Sequence, residues 1–514
     1  MKKQRLNISK LGFLLSVMGS AVGLGGIWGF LTQMYNHHGA FLIPFLICMV
    51  ICAIPVLFIE MTIGNKYRKN HIEFFSEVGG KKGAFFSWLH STTVILLSTY
   101  YSVLVGWTLI NIIISFTSNL NKGSYFYHNI LQQTNDQDIS NLNSLGNLNW
   151  MILLATIGVW IILGIILLGG VEKGIEKANK IMIPFLFLMI IILAIYTSTL
   201  SGAKLGLNVM FDLDAKELLN PGLWKDAFGQ SFFMLSTCTG TIYIYAAHAP
   251  EKQDSTNQAF VVAFGTSVIG ILTTIIVFNS IGAIAQNQGK TDIKYVFQAG
   301  PALIFQVIPQ LFAIINNQVP ILGNILAILF FVTLFFAGMS SLIGQVESMV
   351  NGLEYEIHLK RKQALAISLL GAMAVSVLFT FSNSPALFNG LAIWVAQIWL
   401  LIIGFILLIG ISPYGWKLYD TLKLYNNENS WMKWTKGYKI VILIIAPILI
   451  LINIATGIYD FIINIINANF VYGTVGLTLG VGLVLLLTFI LTYHQNIHNV
   501  FNKLFKIKTK TERG

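Results

Sequence analysis

Five glycines fall within twelve residues of an apolar run, GSAVGLGGIWGF at 19–30: Gly19, Gly23, Gly25, Gly26 and Gly29. Each costs roughly 0.8–1 kcal/mol relative to alanine inside a helix. Such density has two readings. Small residues let helices pack closely, for which one small-xxx-small pair such as Gly19 and Gly23 suffices. Alternatively the helix is broken, so that freed carbonyls face a cation and the N-terminus of the second half faces an anion. A second interruption lies in WKDAFGQSFFMLSTCTGTIYIYAAH at 224–248, where Ser236, Thr237, Cys238, Thr239 and Gly240 form a polar, weakly helical middle. Three further groups could do chemistry. Glu60 places a carboxylate in an apolar run, where acids are expensive and by default functional. Ser340 and Ser341 offer two hydroxyl oxygens, as cation ligands or as ordinary packing and back-bonding groups. Tyr101 is either a packing aromatic or a hydroxyl that needs a polar partner.

The elements that position these groups are membrane helices. The 514 residues are 55% hydrophobic and only 10% charged, against about 25% charged in soluble domains. Apolar runs of about 20 residues, enough to cross a bilayer core, recur along the whole length. The chain reads as an all-α polytopic membrane protein without a separate soluble domain. Twelve spans are expected at 9–33, 40–64, 86–116, 149–169, 181–200, 223–247, 258–285, 321–353, 363–381, 388–412, 438–460 and 470–493. The first apolar run lacks a small-residue cleavage site, so it reads as a span and not a removable leader. With both termini cytoplasmic, only Lys122, Lys204, Lys216, Lys225, Lys290 and Lys294 of the 32 basic residues fall outside, which satisfies the positive-inside rule. That asymmetry accounts for the net charge of +11, so no nucleic-acid partner is needed. Cys48, Cys52 and Cys238 all lie in spans and suggest buried hydrophobes, not a disulfide framework or zinc site. No motif points to an enzyme. The outer loop at 118–148 carries no Asn-x-Ser/Thr acceptor, in keeping with a bacterial source. Spans one and six hold corresponding places in two five-span halves, about 9–200 and 223–412. Paired broken spans point to a transporter site at the repeat interface. Residues 1–412 then form a ten-helix core, and 413–514 add two helices and a basic cytoplasmic tail.

Several stretches resemble the neurotransmitter:sodium symporters. KLGFLLSVMGSAVGLGGIWGF is similar to their first helix, GAFLIPFLICMVICAIPVLFIEMTIG (39–64) to their second and TYYSVLVGWTL (99–109) to their third. GGVEKGIEKANKIMIP (169–184) resembles the hinge into the fifth, GQSFFMLSTCTG (229–240) the sixth, GPALIF (300–305) the fourth outer loop and FFAGMSSLIGQVESMV (335–350) the eighth. The likeness runs through spans one to ten in order. It implies a 5+5 inverted-repeat core with discontinuous helices 1 and 6, and alternating access at a mid-membrane site. It also implies Na+ as coupling ion, a small-molecule substrate such as an amino acid or amine, and residence in the cell membrane.

The resemblance implies one sodium site made by the carbonyls of Gly19, Val22 and Ala337 with the hydroxyls of Ser340 and Ser341. Gly174 and Pro184 match the family's Gly-x9-Pro, whose unwinding lets water in. Substrate would be lined by Ala21, Gly23, Leu24, Gly25, Gly26, Leu97, Tyr101, Phe233, Ser236, Thr237, Thr239, Ser341 and Gln345, with the N–H groups near Leu24 and Gly25 and the Tyr101 hydroxyl taking a carboxylate. Glu60 would accept bonds from the broken backbone of the sixth helix. Other family positions are changed. At the first sodium site stand Gly26, Met234 and Thr266; at the chloride site Phe45, Met234 and Gly270, leaving Gln230; at the outer gate Gly29 and Asn389. The expectation is one sodium and no chloride. His248 and Glu347 replace a neutral Tyr and Gln at the inner side. Either His248 is a solvated helix end and Glu347 pairs with a basic group, or the two form a protonatable inner gate. Three functions stay open: a sodium-coupled symporter, a non-transporting sensor of the same fold, and a proton-coupled or uncoupled carrier.

Overall fold

The structure, a computed structural model, describes residues 8–123, 125–132, 146–298, 300–382, 387–388, 391–412, 415–466, 474 and 476–494. Lys2, Lys3, Arg5, the basic residues from Lys503 onward and Asn389 lie outside the described residues. Among those described, the fold is helical, with a single isolated bridge between Leu148 and Phe381.

Among the described residues, eight helical runs are long and apolar enough to cross a membrane. The first and sixth spans fall short of that length because they are interrupted, and residues 467–473 and 475 at the start of the expected twelfth lie outside the described residues. The first divides into Lys10–Ala21 and Leu24–His37. The sixth divides into Pro221–Met234 and Thr241–His248, of 14 and 8 residues. The tenth passes through a wide π turn, Ile393–Trp399, before Leu400–Gly410. A second wide turn, Val171–Glu176, opens the fifth span ahead of Lys177–Ser198.

The third span was expected at 86–116. Gly80 is non-helical (φ 55°, ψ −137°) and divides His71–Ser115 into a short leading helix and the long helix that carries the expected span. The leading helix starts at Asn70, whose side chain accepts the Glu73 N–H at 2.8 Å, a capping bond that hydropathy does not register. His71–Ser115 buries 94% of its most apolar window, against 33% for Trp150–Leu168 and 22% for Lys436–Ile463. The third span is therefore the axle of the bundle, and the fourth and eleventh turn most of their apolar surface outward. The third and eighth spans, His71–Ser115 and Leu322–Tyr355, pack along each other. The twelfth leans on the third, where Thr92 and Thr488 hydroxyls meet at 2.7 Å.

Candidate functional site

The break in the first span is a local backbone event. Val22 leaves the helix (φ −80°, ψ 80°) and Gly23 is extended (φ −109°, ψ 162°). The Gly23 N–H turns back to Ala21 O at 3.0 Å, which frees the Gly19 carbonyl from its helical donor. Hydroxyls from elsewhere take up the freed groups. Ser340 Oγ donates to Gly19 O at 2.8 Å and lies 3.0 Å from Ala337 O. Ser341 Oγ and Ser236 Oγ both donate to Ser20 O, at 3.0 and 2.8 Å. On the other side of the break, the Leu24 N–H donates to Tyr101 Oη at 2.7 Å.

The sixth span breaks over 235–240. Ser236, Cys238 and Gly240 have φ of 48°, 63° and 76°, left-handed values that a non-glycine residue adopts only under constraint. Glu60 supplies one constraint: its Oε1 accepts the Cys238 N–H at 3.1 Å. Thr239 Oγ1 donates to Ser236 O at 2.9 Å and Thr237 Oγ1 to Phe232 O at 3.3 Å.

Gly23, Gly25 and Gly29 answer to close approach, whereas a Cβ on Gly26 would meet nothing nearer than 3.8 Å. A Cβ on Gly23 would lie 2.8 Å from Tyr101 Oη and 3.1 Å from Ser341 Oγ. One on Gly25 would lie 2.6 Å from Phe233, and one on Gly29 2.6 Å from Gln230 Oε1. Between the breaks remains a cavity of about 20 Å3 lined by Ala21, Gly23, Gly25, Gly26, Leu97, Tyr101, Phe233, Ser236, Thr239, Ser341, Gln345 and Leu400. Leu24 touches this ring through its N–H, and Thr237 lines the larger space above. That outer cavity, about 390 Å3, reaches Gly25, Tyr101 and Phe233 from the side of Lys225, Asp226 and Asp460.

Residues 5–124 and 121–501 match the sodium:neurotransmitter symporter family. The chain belongs to this family. It is 35% identical, over 72% of its length and 74% of the relative's, to an uncharacterized sodium-dependent transporter of Methanocaldococcus jannaschii. It is 27% identical, over 72% of its length and 62% of the relative's, to the sodium-dependent nutrient amino acid transporter 1 of Drosophila pseudoobscura pseudoobscura. The crystal structure of MhsT in complex with L-phenylalanine superposes with a TM-score of 0.74 at 28% identity, covering 88% of this chain and all of that one. These symporter relatives are transporters and not enzymes, and this chain is likewise a multi-pass membrane protein.

The altered symporter positions are filled in specific ways. Gly26 borders a space of about 10 Å3 with Met234, Thr266 and Gly270. Thr266 Oγ1 turns back to Val262 O and Ala263 O, both at 3.0 Å. The Met234 methyl lies 2.3 Å from where Gly270 would carry a Cβ. Phe45 packs edge-on to Phe30 at 5.0 Å. Gln230 fills the volume beside Gly29 and donates to Gly26 O at 3.0 Å. Around the outer cavity, Lys225 pairs with Asp460 at 2.9 Å, and His37 faces Glu217 at 2.8 Å and Asp226 at 3.1 Å.

On the inner side the geometry favours the first of the two readings, in which Glu347 pairs with a basic group, over the His248–Glu347 gate. Glu347 does not pair with His248. Its two oxygens each meet Arg361 at 2.8 Å, and Asn351 donates to one of them at 2.6 Å. A planar guanidinium matches a carboxylate in two parallel bonds, which an imidazole cannot offer. His248 Nδ1 lies 2.9 Å from Ile244 O, and its own carbonyl accepts the Ile8 N–H at 2.9 Å. Ser9 donates to Glu176 from Oγ at 2.7 Å and from its N–H at 3.1 Å, and Lys180 joins at 2.7 Å. Gly174 lies inside the wide turn, where a Cβ would meet Ile166 O at 2.0 Å; Pro184 lies within the helix that follows. Arg361, Glu176 and Leu400 were not singled out in the sequence. Arg361 is one of three consecutive basic residues, Lys360, Arg361 and Lys362, with nothing to set it apart, and nothing local marks Leu400 among its leucine neighbours.

Proposed function

We propose that the chain is a sodium-coupled symporter of an amino acid or related small solute, moving one sodium per cycle without chloride. One observation carries the ion assignment. The Gly19 carbonyl, released from its helix, converges with Ala337 O and Ser340 Oγ at 2.8–3.0 Å. Val22 at the break and Ser341 on the next position of the eighth span complete an oxygen-only set, which suits a hard cation and buries no charge. The space at Gly26, Met234 and Thr266 supports the single-sodium reading. It is lined by apolar groups, and its one hydroxyl is committed to its own helix.

The substrate seat is the ring between the two breaks. The Leu24 N–H and Tyr101 Oη, 2.7 Å apart, would accept a carboxylate, and Ser236, Thr239 and Gln345 add polar contacts. The L-phenylalanine bound to MhsT and the amino-acid designation of the Drosophila relative support this solute class. An outer cavity that reaches the seat, with an inner mouth tied by Ser9, Glu176, Glu347 and Arg361, supports alternating access. The protein would lie in the cell membrane with both termini cytoplasmic, residues 1–412 forming the transport core and 413–514 the two added helices.

Uptake of radiolabelled amino acids into proteoliposomes under a sodium gradient tests the proposal. The expected result is sodium-dependent uptake with a Hill coefficient near one, lost in Ser340→Ala with Ser341→Ala. A coefficient of about two, or binding without flux, would overturn it.

A further inference from the structure

Asn179 lies in the fifth span, fully buried at 0% exposure. Neither its amide oxygen nor its amide nitrogen has a hydrogen-bond partner. Buried polar side chains are nearly always satisfied, so an orphaned pair of this kind needs an explanation. The position supplies one. A Cβ built on Gly19 would lie 3.0 Å from Asn179 Oδ1 and 3.2 Å from Ser340 Cβ. The amide oxygen therefore borders the same residue whose carbonyl meets Ser340 Oγ, and it comes from an element that contributes nothing else to that oxygen set. The fifth span packs on both elements that do, Lys10–Ala21 and Leu322–Tyr355.

We infer that Asn179 completes the sodium site, its side-chain amide oxygen acting as a ligand from the fifth span. The inference rests on the proposed sodium site at Gly19, Val22, Ala337, Ser340 and Ser341. A neutral carbonyl-type oxygen fits that set: it adds a donor for a hard cation and introduces no charge into the membrane interior. It also explains Gly19, since any side chain there would fill the space between the amide and the serine. Asn179 lies between Gly174 and Pro184, so a rearrangement of this helical stretch would withdraw one ligand. The ion's hold and the conformation of the fifth span would then be linked.

The test is 22Na+ binding to the purified full-length protein in wild type, Asn179→Leu, Asn179→Ser and the double variant Ser340→Ala with Ser341→Ala. Thermal unfolding is followed with and without sodium. The inference expects Asn179→Leu to raise the sodium half-saturation about tenfold, with Asn179→Ser intermediate. It also expects Asn179→Leu to keep or raise the unfolding temperature in sodium-free buffer, because an orphaned amide is removed, while the sodium-induced upward shift shrinks. Half-saturation within about twofold of wild type in both Asn179 variants, alongside loss of binding in the serine variant, would overturn the role of Asn179 and leave the sodium site standing. Undiminished binding in the serine variant would overturn the site itself and the inference with it. A misfolded Asn179→Leu would be recognised by its sodium-free unfolding, and Asn179→Ser then decides.

Discussion

Arg361 grips Glu347 in two parallel bonds of 2.8 Å, joining the start of the ninth span to the inner part of the eighth. The Glu347 side chain is fully buried and that of Arg361 is 26% exposed. A second branch reaches Glu354 at 2.9 Å, and a third reaches Leu167 O of the fourth span at 2.8 Å.

Removing one partner of a buried pair leaves an uncompensated charge, at a cost of about 3–5 kcal/mol. Arg361→Ala is therefore expected to unfold at a clearly lower temperature, or to expose the inner mouth to thiol reagents at an engineered cysteine. The double variant Arg361→Met with Glu347→Gln should recover most of the loss. A single Arg361→Ala variant as stable and as closed as wild type would contradict the pairing.

Tyr101→Phe removes the acceptor of the Leu24 N–H. A buried donor without a partner costs about 1–3 kcal/mol. If the same two groups take the substrate carboxylate, affinity for amino acids should fall by at least about fivefold, and affinity for the decarboxylated amines should fall less. Isothermal titration with an amino acid and its amine counterpart checks this. Equal losses for both would exclude a carboxylate contact at Tyr101.

The proposed chloride independence is motivated by the side chains at the corresponding positions. Met234 occupies the space next to Gly270, and Phe45 packs against Phe30, so no hydroxyl cluster is offered to an anion there. Replacing chloride with gluconate should leave uptake within about twofold. A large loss would show that an anion site exists elsewhere in the chain.

At the outer mouth, hydrogen bonds from His37 and then Asn220 hold the Glu217 carboxyl below the usual carboxylate range. A depressed carboxyl stabilises the fold above its ordinary value, and that contribution is lost as pH falls through the depressed one. The Glu217→Gln variant should thus unfold at a lower temperature than wild type above the ordinary carboxylate value. The gap should close on further acidification. A gap that widens toward acid would contradict the assignment.

The amino-acid order itself determined the interruptions of the first and sixth spans. Gly19–Gly23 and Ser236–Gly240 are local backbone features, and a helix ends where its own residues cannot sustain it. For the same reason most of the ring around the small central cavity could be named from the residues and the family likeness, Leu400 being the addition. The short helix ahead of the third span, set off by the cap at Asn70 and the non-helical Gly80, was not legible from hydropathy. Only the tertiary structure decided which group answers which across long separations. Glu347 takes Arg361 and not His248, Gln230 fills the space at Gly29, and Asn179 comes to border Gly19. Those choices depend on distances and orientations between helices that are remote in the chain. In a low-dielectric interior the best-matched donor geometry takes each buried polar group, and no local pattern encodes that match.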